Sequence, residues 1–306
     1  MRSIYRGILL ALGMLAVTPA IYACDVCGCS SVSQSLGLLP QFSGHFAGIQ
    51  YLYASSYSNH PGLLDKDPAE HAAQYFNTIQ AWGRYQLNSR LQLYAFVPYV
   101  HNVNNDGRSN SVSGVGDISL SLNTVLLQSD KAQRKQMWLA GAGLKLPTGA
   151  YNGISQSDRN GLPNMQAGTG SLDWLLSSNY TYKGRKAGFN LEASAVITMA
   201  NRSDYKYGDK FALGALAFYW LEWSSFRLVP QAGLRQEYTL HDYENYKRKW
   251  LNEQSGGYAS FFSAGAQAYY RKWGLKAMVH LPLLQDYATG IVSLQPRIES
   301  GVFLLF

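Results

Sequence analysis

The chain has 306 residues and a formal net charge of +7, with 15% charged and 13% aromatic residues, among them 22 tyrosines. About a quarter of the residues of a soluble domain are usually charged, so this composition argues against an ordinary soluble protein. The basic residues form no continuous stripe, and we therefore expect no nucleic-acid partner.

The N-terminus has the three-part layout of a secretory signal. Residues 1–7 carry Arg2 and Arg6, residues 8–17 are apolar, and small residues follow, with cleavage points after Ala20 or Ala23. The apolar run, at about ten residues, is too short to span a bilayer as a helix. We therefore predict a signal peptide over 1–23, and we expect no transmembrane helix after it.

All three cysteines of the chain follow directly, in the stretch ACDVCGCSS at 23–31. Cys24, Cys27 and Cys29 have C-x-x-C and C-x-C spacing, which suits the soft ions copper(I) or zinc(II). Zinc would need a fourth ligand, such as Asp25 or His45, because it prefers four-coordinate sites. We predict residues 24–43 to be a periplasmic segment that carries this metal or redox site.

Three other interpretations of the same cysteines stay open. A Cys24–Cys27 disulfide is geometrically plausible in an oxidising compartment and would leave Cys29 unpaired. The first cysteine follows a processing site and could be acylated, although Tyr22 is bulkier than the residue usual at that position. The third interpretation is that the three thiols lie in an inert tail.

Alternation of apolar and polar residues, the period of a β-strand, dominates the rest of the chain. In GDISLSLNTV at 116–125, Ile118, Leu120 and Leu122 fall on one face and polar residues on the other. A tilted strand that crosses a membrane needs about 9–11 residues, and the segments here are at least that long. The pattern predicts twelve strands, at 44–57, 74–87, 90–102, 116–128, 136–148, 170–182, 186–200, 209–223, 226–240, 258–271, 274–286 and 291–306.

The connections between these strands alternate in length, which is typical of an outer-membrane β-barrel with short periplasmic turns and longer extracellular loops. Long connections are predicted at 58–73, 103–115, 149–169, 201–208 and 241–257. The chain also ends on Phe306, an aromatic residue of the kind that commonly ends such barrels. We therefore predict an all-β, antiparallel barrel over 44–306 in the bacterial outer membrane. A secreted β-sandwich is the competing interpretation, but it would have shorter strands and more charge.

The polar face of the strands is predicted to line the barrel lumen and to contact the solute. Both signs of charge occur there, so mutual ion pairing and a polar network that partly plugs the bore are expected. The predicted lumen residues are Arg84, Lys145, Glu192, Arg235, Glu237, Arg297 and Glu299. Basic residues of the short turns, such as Lys135 and Arg271, are expected at the periplasmic rim.

No enzymatic activity is predicted. Some twelve-stranded barrels are phospholipases, and such a site needs a serine, a histidine and a third orienting group within hydrogen-bonding reach. None of the six histidines lies in a His-x-Ser context. The sequence therefore names no catalytic residues.

Three motifs resemble a known family. They are SGVGDISLSL at 113–122, LKLPTG at 144–149 and QAGTGSLDW at 166–174, with Ala167 where the family usually has proline. In this order they are similar to the outer-membrane barrels described as transporters of the phenol meta-degradation pathway. The resemblance implies an outer-membrane barrel with a transport role, and the cysteine segment marks a subgroup. The motifs themselves are expected to be architectural, because Gly114 and Gly116 permit tight bends.

The first functional prediction is a passive or facilitated channel for a small solute. The alternative is a barrel anchor that displays the copper- or zinc-binding or redox-active cysteine segment to a periplasmic partner. The expected partners are outer-membrane lipid, the small solute and, in the alternative, that periplasmic protein.

Overall fold

The computed structural model describes residue 38 and residues 44–60, 70–106, 109–131, 134–152, 163–244 and 248–306. The cysteine segment and the predicted signal peptide lie outside these ranges. The described strands are β1 (Phe46–His60), β2 (Glu70–Gln86), β3 (Leu91–Asn105), β4 (Ser109–Val115), β5 (Ser119–Lys131), β6 (Arg134–Lys145), β7 (Asp173–Lys183), β8 (Ala187–Ile197), β9 (Tyr205–Lys206), β10 (Lys210–Tyr219), β11 (Leu221–Trp223), β12 (Phe226–Thr239), β13 (Tyr243–Glu244), β14 (Lys249–Trp250), β15 (Gly257–Tyr270), β16 (Trp273–Tyr287), β17 (Val292–Leu294) and β18 (Arg297–Leu305).

Fifteen of these strands form one antiparallel sheet that closes on itself. β18 pairs with β1, and β10 pairs with β12, so the sheet forms a barrel. Three of the fifteen are short segments that occupy the same position in the wall as a longer strand: β4 with β5, β11 with β10, and β17 with β18. The barrel therefore has twelve strands. The prediction of a twelve-stranded antiparallel barrel is confirmed.

The two ends of the barrel differ. Both the start of β1 and the end of β18 lie at one end, where His45 N donates to Phe306 O at 2.8 Å. The turns at this end are short, and we call it the short-turn end; the opposite end, with longer connections, is the loop end. A small sheet of β9, β13 and β14 is built from the connections at the loop end.

The alternating pattern sorts side chains between the two faces of the wall. Ile49, Ile79, Leu213 and Leu234 are each more than half exposed on the outer face. Their polar neighbours face inward and are buried, Gln50 and Gln80 among them. An apolar outer face around a polar interior is the arrangement that a barrel in lipid requires.

The prediction of a loop over 103–115 was wrong. β3 extends to Asn105 and pairs with β4 in a hairpin, with Asn105 opposite Ser109. The segment contains asparagine, serine and glycine, which favour turns, and it has few apolar residues. Here backbone pairing with the end of β3 overrides the local preference, since β-propensity depends strongly on context.

The last predicted strand, 291–306, is interrupted. Tyr53 lies opposite Ile298, whereas Ser56 lies opposite Leu294, so the register shifts by one residue between β17 and β18. A one-residue shift reverses the faces of a strand. Val292 and Leu294 are therefore buried on the inner side, while Ile298 is exposed as the alternation predicts.

Helical structure in the described ranges is confined to two 3-10 turns, Pro163–Met165 and Ala288–Gly290. No helix in those ranges is long and apolar enough to cross a membrane.

Candidate functional site

Aromatic rings fill the lumen at the short-turn end. Phe46 lies 4.7 Å from Trp82 between ring centroids, and Phe303 lies 6.1 Å from each of them. The complete cluster comprises Leu38, Phe46, Trp82, Tyr94, Phe96, Phe218, Trp220, Val229, Tyr269 and Phe303. The sequence analysis missed this cluster. The alternation along β2 could have revealed it, because Ile79 and Tyr85 are exposed on the outer face and Trp82 therefore falls on the inner face.

Arg84, a predicted lumen residue, fixes the chain at the start of the barrel. Its Nε donates to Gly44 O at 3.0 Å, and its guanidinium lies 5.3 Å from the Phe46 ring centroid. Gly44 N donates to Gln86 Oε1 at 2.7 Å. Leu38, a short distance earlier in the chain, is fully buried in the aromatic cluster. Arg84 therefore helps to close the short-turn end.

The three sequence motifs meet at the loop end of the lumen. The Asp117 carboxylate accepts hydrogen bonds from Gly149 N at 3.0 Å and Thr169 N at 2.8 Å. Lys145 Nζ lies 2.5 Å from Asp173 Oδ2 and 3.5 Å from Asp117 Oδ2, and it donates to Thr169 Oγ1 at 2.8 Å. We call Asp117, Lys145, Gly149, Thr169 and Asp173 the motif clasp.

Gly149 of the motif clasp and the neighbouring Gly168 are needed for the close approach of two backbone segments. A Cβ placed on Gly149 would lie 2.6 Å from the Gly168 Cα, and a Cβ on Gly168 would lie 2.6 Å from the Gly149 Cα. Any larger residue would push the segments apart. These contacts support the architectural interpretation of the motifs, since their polar groups bind one another.

The segment that enters β7 folds into the lumen. Residues 163–168 are buried, Asn164 Nδ2 donates to Gln74 Oε1 at 2.7 Å, and Asn102 Nδ2 donates to Met165 O at 3.2 Å. Met165 packs against Ala54 and Phe76 of the opposite wall. The expectation that 149–169 is simply an outer loop was wrong, because its last part narrows the bore.

At the loop end, a cap joins the connection at 198–209 to residues 240–244 and 248–256 of a second connection. Asp242 Oδ2 accepts a hydrogen bond from Tyr205 OH, and its Oδ1 accepts one from Gly208 N at 2.6 Å. Burial raises the pKa of Asp242 to about 6, against the opposing effect of the Tyr205 hydrogen bond. Burial also raises the pKa of Tyr207, which donates to Pro163 O at 2.9 Å and so ties the cap to the inward segment.

Four of the seven predicted charged residues meet on one side of the barrel, on β12 and β18, next to Lys276 of β16. Glu237 lies 2.7 Å from Arg235 Nε and 2.8 Å from Arg297 Nη1. Glu299 lies 2.6 Å from Lys276 Nζ. Glu192, Arg235 and Glu299 border one cavity. Lys145 and Arg84 lie elsewhere, so the seven predicted residues do not form one site, and their role in a solute path stays a prediction.

The other side of the barrel, formed by β5, β6, β7 and β8, carries uncharged polar residues that the sequence analysis largely overlooked. Ser177 Oγ donates to Asn123 Oδ1 at 3.1 Å, and Asn190 Nδ2 donates to Asn179 Oδ1 at 3.0 Å and to Thr181 Oγ1 at 2.8 Å. We call these five residues the neutral ladder.

Three cavities follow this wall from the loop end to the short-turn end. The loop-end cavity lies between the motif clasp, the inward segment and apolar residues such as Val100 and Leu175. The middle cavity shares Leu175 with it and contacts Ser121, Ser177 and Ser194. The mouth cavity includes Thr181, Lys183 and Arg227.

The structure also brings close together a serine and a histidine that are distant in sequence. Ser263 Oγ lies 2.7 Å from His280 Nδ1, and His280 Nε2 lies 3.8 Å from Glu299 Oε2. Ser263 is only 2% exposed, and Glu299 is already bound to Lys276. The three residues therefore extend the ionic network of this wall.

The predicted metal ligands Cys24, Cys27 and Cys29 lie outside the described residues. Within the ranges that the structure describes, no group of three or more histidine, cysteine, aspartate or glutamate residues is arranged to hold a metal ion. Copper or zinc binding at the cysteines therefore stays a prediction.

The closed barrel, with its apolar outer face and polar interior, defines an outer-membrane β-barrel protein. The sequence profile of the family described as "Putative MetA-pathway of phenol degradation" matches residues 70–238, and the chain belongs to this family. The protein is located in the bacterial outer membrane, so its short-turn end faces the periplasm. The match includes all three motifs that carried the resemblance.

A solved structure supports the fold. An outer membrane channel from Pseudomonas putida F1 superposes with a TM-score of 0.65 and 16% identity, over 95% of this chain and 100% of that chain. The β domain of the Bordetella autotransporter BrkA gives a TM-score of 0.47 and 12% identity, over 85% of this chain and 100% of that chain. No curated protein matches the sequence.

Proposed function

We propose that the protein is a channel for passive or facilitated passage of a small solute across the outer membrane. The observation that carries the proposal is the series of three cavities along the neutral ladder. They follow one wall from the loop end to the short-turn end, the direction that a solute entering the cell would take. The outer-membrane location and the family support the same function.

Away from the mouth cavity, the charges of the lumen favour an uncharged solute. Lys145 is bound by Asp117 and Asp173, Glu237 by two arginines, and Glu299 by Lys276. Charges that are paired in this way attract an ion weakly, since their fields largely cancel. Apolar side chains and uncharged serine, asparagine and threonine groups form much of the remaining surface. We infer a neutral, partly apolar solute, and phenol belongs in the test because the family description names it.

Liposome swelling tests this function. Purified protein is reconstituted into liposomes, and swelling is followed in isosmotic solutions of a neutral solute and of charged analogues of equal size. The neutral solute, with phenol as one member of the set, should enter faster than the charged ones. Protein-free liposomes serve as the control, because phenol also crosses lipid unaided. Absence of protein-dependent swelling with every small solute would exclude the channel function.

The alternative function, a barrel anchor for a metal-binding or redox segment, is favoured by the three thiols within six residues of one another. Its test compares the copper and zinc content of the wild type with that of a Cys24→Ser/Cys27→Ser/Cys29→Ser variant. The metal form of this alternative predicts loss of bound metal from the variant. Equal metal content in the two proteins would rule it out.

We also propose that the protein is not an enzyme. The burial of Ser263 and the use of Glu299 in an ion pair with Lys276 support this. Incubation of the purified protein with phospholipid and with short-chain esters should release no fatty acid. Release that is lost in a Ser263→Ala variant would contradict the proposal.

A further inference from the structure

The periplasmic mouth of the lumen brings three cations together. Lys135 on β6 and Lys183 on β7 lie directly opposite each other in the strand register. Both border the mouth cavity, which Arg227 on β12 also lines. Like charges directly opposite on neighbouring strands destabilise a sheet, so this arrangement has a cost that a bound anion would offset.

The neighbouring carboxylates compensate for these cations only in part. Asp130 lies 2.8 Å from Lys135 Nζ, but both side chains are at least 60% exposed. Glu222 lies 3.7 Å from Lys183 Nζ and is itself 60% exposed. Ion pairs between exposed groups contribute about 0–1 kcal/mol. Two exposed carboxylates therefore face three cations.

Lys183 is held in place more firmly than a surface lysine. Its Nζ lies 3.7 Å from the centroid of the Trp220 ring, and its side chain is only 16% exposed. A β-bulge beside Leu126 shifts the register of β5 by one residue, which places Gln128 and Asp130 on the same face as the lysines. The bulge thus adds the hydrogen-bonding groups of Gln128 and Asp130 to the mouth cavity.

We propose that the mouth cavity binds a phosphate-type oxyanion between Lys135, Lys183 and Arg227. A planar guanidinium binds two phosphate oxygens at once, and lysine ammonium groups neutralise the remaining charge. Gln128 supplies an uncharged hydrogen-bond donor at the same cavity. The site adjoins the neutral ladder at Thr181, whose hydroxyl donates to Asn179 Oδ1, but it does not depend on solute passage through the lumen.

The ligand chemistry has two possible sources, a free phosphate in the periplasm or the headgroup of an anionic phospholipid. Two probes distinguish them. The full-length protein in phosphatidylcholine nanodiscs is titrated with inorganic phosphate, and separately with short-chain phosphatidylglycerol, at low ionic strength, since salt screens such contacts. Binding of inorganic phosphate identifies the free anion as a sufficient ligand, and binding of phosphatidylglycerol alone identifies the headgroup.

A Lys135→Gln/Lys183→Gln variant is expected to weaken binding by about tenfold or more. The matched control is Arg271→Gln/Lys272→Gln, which removes the same charge from the β15–β16 turn at the same end of the barrel but outside the mouth cavity. The control should bind within about twofold of the wild type. Gel migration of unheated samples verifies that each barrel is folded.

Should the double lysine variant fail to fold, Arg227→Gln replaces it and is also expected to weaken binding severalfold. The proposal is overturned if the wild type binds neither probe. It is equally overturned if the control variant loses as much affinity as the lysine or arginine variant, because binding would then reflect only the general charge of the rim.

Discussion

The two halves of the lumen have the same alternating wall and very different contents. At the short-turn end, inward positions carry Phe46, Trp82 and Phe303, and their rings fill the bore. At the loop end, the inward positions of β5, β7 and β8 carry smaller or polar residues, whereas Phe76 and Phe261 are buried on other strands of the wall, and the segment 163–168 occupies part of the space. A cavity remains there beside β5 and β7. The comparison indicates that the size of the inward side chains helps to determine where the bore of a barrel narrows.

The largest expected effect comes from removing a ring from the packed half. Trp82→Ala should cost about 3–5 kcal/mol of stability, because it leaves a cavity among buried rings. The same change should increase solute flux, since it opens the narrow half. Urea unfolding in detergent measures the first effect, and liposome swelling measures the second.

Trp138→Ala is the matched control for that change, since Trp138 lies on the outer face and is 43% exposed. Its stability loss should be clearly smaller, and its flux unchanged. Equal flux in the Trp82 variant and the wild type would show that the aromatic cluster does not limit passage.

The next largest effect is expected from a substitution in the motif clasp. Asp173→Asn leaves Lys145 with Asp117 at 3.5 Å as its remaining carboxylate, and a lost hydrogen bond to a charged group costs about 1.5–3 kcal/mol. Asp130→Asn removes an exposed ion pair instead and should cost about 1 kcal/mol or less. Urea unfolding compares the two variants. If Asp173→Asn loses as little stability as Asp130→Asn, the motif clasp contributes little to the stability of the loop end.

The smallest effect concerns the cap over the open half. The pKa of Asp242 is raised to about 6 in the folded protein. Its contribution to the stability of the cap is therefore greatest below pH 4 and declines as the pH rises through 6. Hydrogen exchange in 198–209 and 240–244, corrected for intrinsic rates, should therefore be slower at pH 5 than at pH 7.5. Asp242→Asn should remove this difference. A pH dependence that persists in the variant would assign it to another group.

The sequence predicted the barrel well because alternation is a local property. Each strand shows its two faces within about ten residues, and lipid outside and polar groups inside impose the same pattern on every strand. The exposed positions Leu213 and Leu234 and the buried positions Gln50 and Gln80 follow it directly. Strand number and antiparallel order follow from the same pattern.

The interior was predicted less completely because it depends on contacts distant in sequence. Charged residues such as Glu237 and Arg297, sixty positions apart, were placed correctly in the lumen, but their pairing required the closed barrel. Val292 and Leu294 face the lumen, although the alternation continued back from Ile298 places them on the outer face, because the register shift beside them has no local signal. The inward fold of residues 163–168 depends on Gln74 and Asn102, which no local pattern connects to that segment.

The central claim is that a neutral solute passes through the lumen beside the neutral ladder. Its most direct test is Ser194→Cys, at the middle cavity, in a variant with Cys24, Cys27 and Cys29 replaced by serine, labelled with a bulky thiol reagent. The matched control is Ser178→Cys, on the outer face of β7, where Trp138 Nε1 donates to the serine hydroxyl at 3.0 Å. Labelling Ser194→Cys should abolish most of the protein-dependent swelling, and labelling Ser178→Cys should leave it unchanged. Undiminished swelling after complete labelling of Ser194→Cys would contradict the account.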